Sequence, residues 1–298
     1  MDAVRVNLKL YTGERDSSED ALAHVSEDTT TPFPVQPTMP DPAALTSREL
    51  IRPLRSRRSA TDLTPFSAAW FDELEQKRYQ RHGTWLTTAL EFGRHPGESL
   101  LLLGPGLGTD AVHYMRTGTP VTVGVTTRDH PGLIRANLAR HALPARIVDT
   151  SASVLPFADG TFDVVTWNAL DADAPLDPVR VPELFRVLKA GGKVIGLFPA
   201  HYDAGYWQDL LLPLQHWYWR RPADPVIGTK ATSRSLRSAF LGFTSFKVSK
   251  RHLRRSELPH IWRVLPLVLL ERLIGRVLVF KALKPLTTRT INAVKLAA

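Results

Sequence analysis

The segment Leu100-Leu-Leu-Leu-Gly-Pro-Gly-Leu-Gly-Thr-Asp110 decides the fold of this 298-residue chain. Its four leucines form a short apolar run, which predicts a buried strand. Gly104, Gly106 and Gly108 follow at once and predict a tight turn before a helix. Because these three residues lack a Cβ, the backbone of the turn can approach a ligand closely, and the helix start adds unpaired N–H groups. The segment therefore fits either a plain strand–helix turn or a cofactor-binding turn.

The spacing of the glycines argues against a nicotinamide dinucleotide. The pattern is G-x-G-x-G, because Thr109 stands where the dinucleotide fingerprint needs a later glycine. That fingerprint also requires an acidic residue about 20 positions further on. The next predicted strand ends instead at Thr126, which carries no charge.

Composition excludes several kinds of site. The chain has no cysteine, so it has neither disulfides, nor a thiolate zinc site, nor a cysteine nucleophile, and no other metal site is expected. The start of the chain lacks a signal-peptide pattern, and no apolar run is long enough to span a membrane, which predicts a cytoplasmic protein. The net charge of +9 fits an anionic partner or a general excess of arginine. Without an aromatic–basic recognition motif, a nucleic-acid partner is not expected.

The chain divides into an N-terminal tail and one α/β domain. Residues 1–60 include the polar, proline-rich run Glu27–Pro42 and are predicted to form a flexible tail. Residues 61–298 are predicted to form the domain, with its core at 98–200. The part from 201 to 285 is expected to form a lid and to complete the sheet.

Strand and helix patterns alternate through the core, which predicts a parallel sheet with helices on both faces. The core strands are predicted at Leu100–Leu103, Val121–Val125, Ala145–Val148, Phe162–Trp167 and Lys193–Phe198. Helices are predicted near Asp110–Met115, Pro131–His141, Val179–Leu188 and Ala204–Trp219, and a last strand at Arg276–Leu283. Ligands of such sheets bind at the carboxyl ends of the strands.

Several segments, taken in order, resemble class I S-adenosylmethionine (SAM)-dependent methyltransferases of the type 11 group. The matching segments are Gly104–Asp110, Val154–Val165 with its Leu-Pro-Phe and Phe-Asp-Val-Val, Leu184–Lys193 with its Arg-Val-Leu-Lys-Ala-Gly-Gly, and Leu278–Pro285. Trp70–Tyr79 is similar to an N-terminal helix of one branch. The resemblance implies a Rossmann-like class I methyltransferase fold, with seven strands of which the last is antiparallel.

The resemblance also implies a SAM site. The residues that it places at the cofactor are Gly104, Pro105, Gly106, Gly108, Asp110, Thr126, Thr127, Ser151, Ala152 and Asn168. Three positions depart from the family pattern, because acids are replaced by Leu102, by Thr126 near the ribose and by Ser151 near the adenine. Asp129, three residues after Thr126, is the nearest acid to the second position. Since hydrogen bonds to charged groups are the stronger ones, weaker cofactor binding is expected.

The candidate catalytic residues are open to two interpretations each. Asp171 could serve as a base or as a solvated loop acid, and His201 and Tyr202 could deprotonate a hydroxyl or simply lie at the surface. Asp110 fits a first-turn helix acid as well as a cofactor contact. Asn168 fits a loop cap as well as a contact with SAM or substrate.

Two functions follow from the sequence. The first is a SAM-dependent methyltransferase that acts on a small, and in one interpretation apolar, metabolite. The second is a catalytically silent methyltransferase-like binding or assembly protein, which the missing acids would suit. The apolar segment Trp262–Ile274 has basic neighbours and fits a core or lid over an apolar substrate, or a helix at a membrane or lipid surface.

Overall fold

Seven strands form one mixed sheet in the computed structural model of the chain. They are β1 (Leu100–Leu103), β2 (Val121–Val125), β3 (Ile147–Asp149), β4 (Phe162–Asn168), β5 (Leu188–Pro199), β6 (Thr244–Arg251) and β7 (Val277–Leu283). Their order across the sheet is β3-β2-β1-β4-β5-β7-β6, and β7 runs antiparallel to both of its neighbours. The predicted α/β sheet with an antiparallel last strand is thus confirmed, and the fold is of the Rossmann-like class.

The structure describes most of the predicted domain. The described residues are 63–64, 66–82, 84–127, 129–170, 179–211, 230–253, 258 and 260–286. The predicted tail at 1–60 and the candidate base Asp171 lie outside these ranges, as does the second half of the predicted helix Ala204–Trp219.

Helices connect the strands on both faces of the sheet. They are α1 (Ala68–Gln76), a π-helix (Lys77–His82), α2 (Thr84–Ala89), α3 (Thr109–Arg116), α4 (Pro131–Ala139), α5 (Arg180–Val187), α6 (Ala204–Leu211), α7 (Ser233–Ala239), a 3-10 helix (His260–Val264) and α8 (Leu267–Ile274). Local residues begin several of them. The Ser67 hydroxyl accepts from the N–H of Trp70 at the start of α1, and Pro131 occupies the first turn of α4.

The leucine run that opens the motif is buried on both faces of the sheet. Leu101 and Leu103 belong to one core cluster, whereas Leu100 and Leu102 belong to another on the opposite face. A strand that is covered on both sides reads as a continuous apolar run, which explains the sequence of β1. Leu102 stands where the methyltransferases that the sequence resembles have an acidic residue. It is fully buried in the second cluster.

Element ends differ from the sequence predictions where pairing sets them. β3 begins at Ile147 rather than Ala145, because its register places Ile147 opposite Val123. β5 begins at Leu188, five residues before the predicted start, with an irregularity in its pairing to β4. Ladder registers are long-range, so the local sequence does not fix them.

The chain brings a late segment back to the carboxyl edge, by which we mean the edge where β1 to β5 end. Because β7 is antiparallel to β5, its first residue, Val277, pairs with Pro199, the last residue of β5. The residues just before Val277, including α8, therefore lie at the carboxyl edge.

Candidate functional site

The sheet aligns the predicted cofactor residues along the carboxyl edge. Gly104 follows β1 and Thr126 follows β2, while Ser151 comes two residues after β3 and Asn168 ends β4. These four strands are neighbours in the order β3-β2-β1-β4. The loops at these four strand ends therefore lie side by side, at the edge where the sequence predicts ligand binding.

The glycine turn after β1 has left-handed backbone at each of its glycines. Gly104, Gly106 and Gly108 have φ angles of +67°, +55° and +77°. A Cβ at Gly104 would lie 1.9 Å from the backbone oxygen of Asn168, and one at Gly108 would lie 3.0 Å from Ile134 Cγ2. Protein packing thus accounts for the outer two glycines. Beside Pro105, which is buried, Gly106 remains the candidate for close contact with a ligand.

Asp110, in the first turn of α3, anchors the N-terminal helices to the glycine turn. Arg78 donates to both of its oxygens, from Nε over 2.9 Å and from Nη2 over 2.7 Å, and the Tyr79 hydroxyl donates to Oδ1. Burial and the charge of Asp110 raise the pKa of Tyr79 well above its usual value, so the phenol stays a donor. The carboxylate is engaged by the protein itself, and its contact with a cofactor stays a prediction.

At the end of β2, the neutral Thr126 is hydrogen-bonded to a carboxylate. Its N–H donates to Asp129 Oδ2 over 2.7 Å, and its hydroxyl donates to the same oxygen over 2.9 Å. Burial raises the pKa of Asp129, although the bonds from Thr126 oppose the shift. The strand end that looks neutral in the sequence therefore carries an acid, supplied three residues later. The adjacent Thr127 is exposed.

A similar pair lies at the end of β3, where the acidic residue, Asp149, precedes the neutral residue, Ser151. The N–H and hydroxyl of Ser151 donate to Asp149 Oδ1 over 2.8 and 2.6 Å. These two bonds lower the pKa of Asp149. Ser151 and Ala152 are both exposed at the edge, where a ligand can reach them. Thr126 and Ser151, two of the three positions that depart from the family pattern, are thus each hydrogen-bonded to a nearby carboxylate.

Asn168 closes the edge between β1 and β4. Its side chain is fully buried, and its Oδ1 accepts from the N–H of Leu170 over 3.1 Å. Its backbone oxygen faces Gly104, as the close approach described above shows. The loop-cap interpretation of Asn168 thus has a hydrogen bond in the structure, and its contact with a ligand stays a prediction.

The two candidate bases after β5 lie in an exposed aromatic group. His201 and Tyr202 are both exposed, and their rings lie 4.8 Å apart. The ring of Tyr206 lies 5.0 Å from that of Tyr202, and Trp207 follows it. Asp203 is buried instead, where it binds Lys230 over 3.1 Å and caps α6 at the N–H of Tyr206. We call His201, Tyr202 and Tyr206 the aromatic wall. It lies beside the carboxyl edge.

No role in the site is predicted from the sequence for Arg78, Tyr79 or Asp149. Arg78 and Tyr79 recur at helical spacing with apolar residues, which predicts a buried face but not a partner 32 residues away. Asp149 ends β3, and only the turn geometry shows that its carboxylate reaches Ser151. Within the described ranges, no three histidine, aspartate or glutamate side chains come together as metal ligands would.

Comparison with known proteins identifies the central segment. Residues 101–196 match the family model described as "Methyltransferase domain". A demethylmenaquinone methyltransferase of Thermobifida fusca is 33% identical over 131 residues, which are 41% of this chain and 50% of that protein. One of Streptomyces avermitilis is 35% identical over 106 residues, which are 34% of this chain and 42% of that protein. The chain thus spans at most half the length of these curated relatives.

A solved structure matches a larger share of the chain. The YcgJ protein of Bacillus subtilis covers 68% of this chain and 99% of its own, at 14% sequence identity and a TM-score of 0.49.

Proposed function

Because residues 101–196 match a methyltransferase-domain family model, we propose that the chain is a class I SAM-dependent methyltransferase and that it transfers a methyl group from SAM to an apolar small-molecule acceptor. The observation that carries the proposal is that groups able to bind a ligand lie at three neighbouring strand ends. These are the glycine turn after β1, the Thr126–Asp129 pair after β2 and the Asp149–Ser151 pair after β3.

The residues at the carboxyl edge fit SAM. Gly106 is half-buried and has left-handed backbone, in a turn that leads into the N-terminus of α3. Asp129 uses Oδ2 for both bonds to Thr126, and Oδ1 accepts no hydrogen bond within the described part of the chain. We assign Oδ1 to the ribose hydroxyls, with Thr127 beside it, and Ser151 and Ala152 to the adenine. A carboxylate acceptor makes this a stronger anchor than Thr126 alone would be.

The protein's part in the reaction is binding and orientation. When bound, SAM supplies a sulfonium-activated methyl group, so the reaction needs alignment of the acceptor more than a strong base. We propose that the aromatic wall of His201, Tyr202 and Tyr206 orients the acceptor beside the end of β5. His201 is then placed to take a proton from an acceptor hydroxyl, with Asp171 as the other candidate.

The names of the relatives suggest a first acceptor to assay. Both are demethylmenaquinone methyltransferases, and an aromatic wall suits an apolar ring system. We therefore propose the reduced quinol form of demethylmenaquinone, or a smaller metabolite of similar apolar character, as the acceptor class. Loss of a proton from a ring hydroxyl makes the quinol nucleophilic, and the ring carbon that accepts the methyl group then loses its own proton.

Calorimetry with S-adenosylhomocysteine, the demethylated product of SAM, tests the proposal. We expect binding by the full chain, followed by transfer of labelled methyl from SAM to demethylmenaquinone that has been reduced to the quinol with dithionite and dispersed in detergent. If the protein shows no heat of binding with millimolar S-adenosylhomocysteine, the proposal is wrong. If it binds but does not methylate this acceptor, the SAM assignment stands and the acceptor assignment fails.

A further inference from the structure

An aliphatic stripe covers the outer side of the 3-10 helix and α8. Five exposed residues form it, and we call them the α8 stripe: Val264, Leu265, Val268, Leu269 and Leu273. The opposite side of α8 is also apolar, where Leu270 and Ile274 pack in a buried cluster with Ala204 and Leu253. A helix that is apolar on both sides needs a second apolar or interfacial contact besides its own core.

The α8 stripe adjoins the candidate acceptor site. Lys250 Nζ donates to the backbone oxygen of Leu273, within the stripe, and to that of Tyr202, in the aromatic wall, over 2.7 Å each. One side chain thus joins the last turn of α8 to the loop that follows β5. Whatever binds the stripe lies next to the carboxyl edge.

The charges around the stripe are positive. Arg272 is exposed between Leu269 and Leu273 and has no acidic partner among the described residues. The acid of this helix, Glu271, points away and is neutralised, because it binds Arg251 over 3.3 Å and accepts from the N–H of His252 over 3.0 Å. The stripe therefore combines exposed aliphatic side chains with an unneutralised cation.

We propose that the α8 stripe docks this protein on an anionic lipid bilayer. Aliphatic residues beside cations are the composition of interfacial helices, which bury one face at the boundary of headgroups and acyl chains. Lipid phosphates would neutralise Arg272, and the net charge of +9 favours the same surface.

A second copy of the chain fits the α8 stripe less well. A two-fold contact through the stripe would bring two Arg272 side chains into one apolar interface, where like charges repel. Five side chains are also few against the roughly 20–30 residues that each partner gives to a stable interface.

Docking in this way has a consequence for the substrate, which rests on the proposed function. The carboxyl edge would face the bilayer, so an apolar acceptor would pass from the lipid to the aromatic wall without crossing water. The docking itself depends only on the stripe and Arg272.

Flotation with lipid vesicles tests the docking. We expect the full chain to float with phosphatidylcholine vesicles that contain phosphatidylglycerol and much less with phosphatidylcholine alone. Leu269→Glu or Val268→Glu should weaken partitioning by at least about tenfold, because an apolar contact is lost. Arg272→Gln should weaken it about fivefold, and only for the anionic vesicles.

Leu241→Glu is the matched control, because Leu241 is 65% exposed and lies near the start of β6, at the opposite edge of the sheet. It should leave partitioning unchanged. The proposal is overturned if the wild type does not float, if it floats equally with both vesicles, or if Leu241→Glu acts like Leu269→Glu. A wild-type dimer that Leu269→Glu dissociates, measured by light scattering, overturns it in favour of a second copy.

S-adenosylhomocysteine binding keeps the two proposals apart. Leu269→Glu should bind this ligand as the wild type does, since the stripe lies outside the cofactor loops. Vesicle binding by a wild type that does not bind S-adenosylhomocysteine would support the docking and contradict the proposed function.

Discussion

Arg78 and Asp110 form a buried two-point ion pair that joins the π-helix to the helix after the glycine turn. The side chain of Asp110 is 2% exposed and that of Arg78 is 10% exposed. A second contact acts beside the pair, because Trp70, Phe71 and Leu74 of α1 cluster with Leu107 of the turn. The N-terminal helices therefore hold the glycine turn in place with both an apolar and an ionic contact.

Arg78→Met should destabilise the protein strongly. It leaves the buried Asp110 carboxylate with Tyr79 alone, and loss of one partner of a buried pair costs about 3–5 kcal/mol. Urea unfolding measures the difference. Arg116→Met is the control, because the Arg116–Glu75 pair is more exposed and should contribute at most about 1 kcal/mol. Equal effects of the two variants would contradict the anchoring role of Arg78.

Asp129→Asn should separate ligand binding from stability. The amide oxygen can still accept from Thr126, and the burial that raises the pKa of Asp129 no longer acts on a charge. The free energy of unfolding should therefore stay equal or rise, while S-adenosylhomocysteine binds about tenfold more weakly. Calorimetry and urea unfolding check the two effects. Unchanged affinity would remove Asp129 from the cofactor site.

The raised pKa of Asp129 also predicts how folding stability and ligand affinity depend on pH. Because the folded-state pKa lies above the ordinary value of 3.8, the folded protein takes up this proton first as the pH falls. This group therefore favours the folded state more at low pH than at neutral pH. Affinity for S-adenosylhomocysteine should fall in the same range in the wild type, and Asp129→Asn should lack that component.

Gly104→Ala should mainly lose stability, whereas Gly106→Ala should mainly lose ligand binding. A Cβ at position 104 collides with the backbone of Asn168, so Gly104→Ala should destabilise the protein by about 3 kcal/mol or more. Gly106→Ala should cost about 1–2 kcal/mol for the left-handed backbone and weaken S-adenosylhomocysteine binding at least tenfold.

The control for Gly106→Ala is Gly160→Ala. Gly160 has φ +63°, and an added Cβ would meet only Lys189 Cα at 4.0 Å. It should show the same backbone cost in urea unfolding and no change in binding. If both alanine variants bind normally, the glycine turn does not contact the cofactor.

Glu91 should stabilise the protein in a pH-dependent way. It binds Lys193 over 2.8 Å and Lys281 over 2.6 Å. Burial alone would raise the pKa of Glu91, but the bonds and charges of the two lysines outweigh burial and lower it to about 2. Glu91→Gln should therefore cost about 2 kcal/mol at pH 7.

The depressed pKa of Glu91 fixes the pH window of that effect. The stabilisation is complete above the ordinary pKa of 4.5 and is lost as the pH falls towards about 2. Urea unfolding of wild type and Glu91→Gln should thus converge over this range. Glu98→Gln, which changes a half-exposed partner of His95, should show a much smaller difference at pH 7. A Glu91→Gln difference that persists unchanged at low pH would contradict the prediction.

Much of the fold follows from local sequence. The leucine run and the glycine spacing predict β1 and its turn, because apolar runs and Cβ-free residues act within a few positions. The registers of β3 and β5 do not follow, because hydrogen bonds to neighbouring strands set them.

The candidate site also follows from the sequence only in part. The sequence identifies the glycine turn, and it identifies Thr126 and Ser151 as the ends of two strands. It shows these ends as neutral, because the carboxylates that bind them stand two or three positions away and reach them only through the turns.

The sequence by itself determined the alternation of strands and helices and the glycine turn, since both rest on local periodicity and motif. It indicated the antiparallel last strand only through the resemblance to a known family. Only the tertiary structure decided that Asp110 binds Arg78, that Glu91 binds Lys193 and Lys281, and that the α8 stripe faces outward. Each of these depends on which distant segments pack together. An apolar residue can bury itself against the core or face a partner, and its local sequence is the same in both cases.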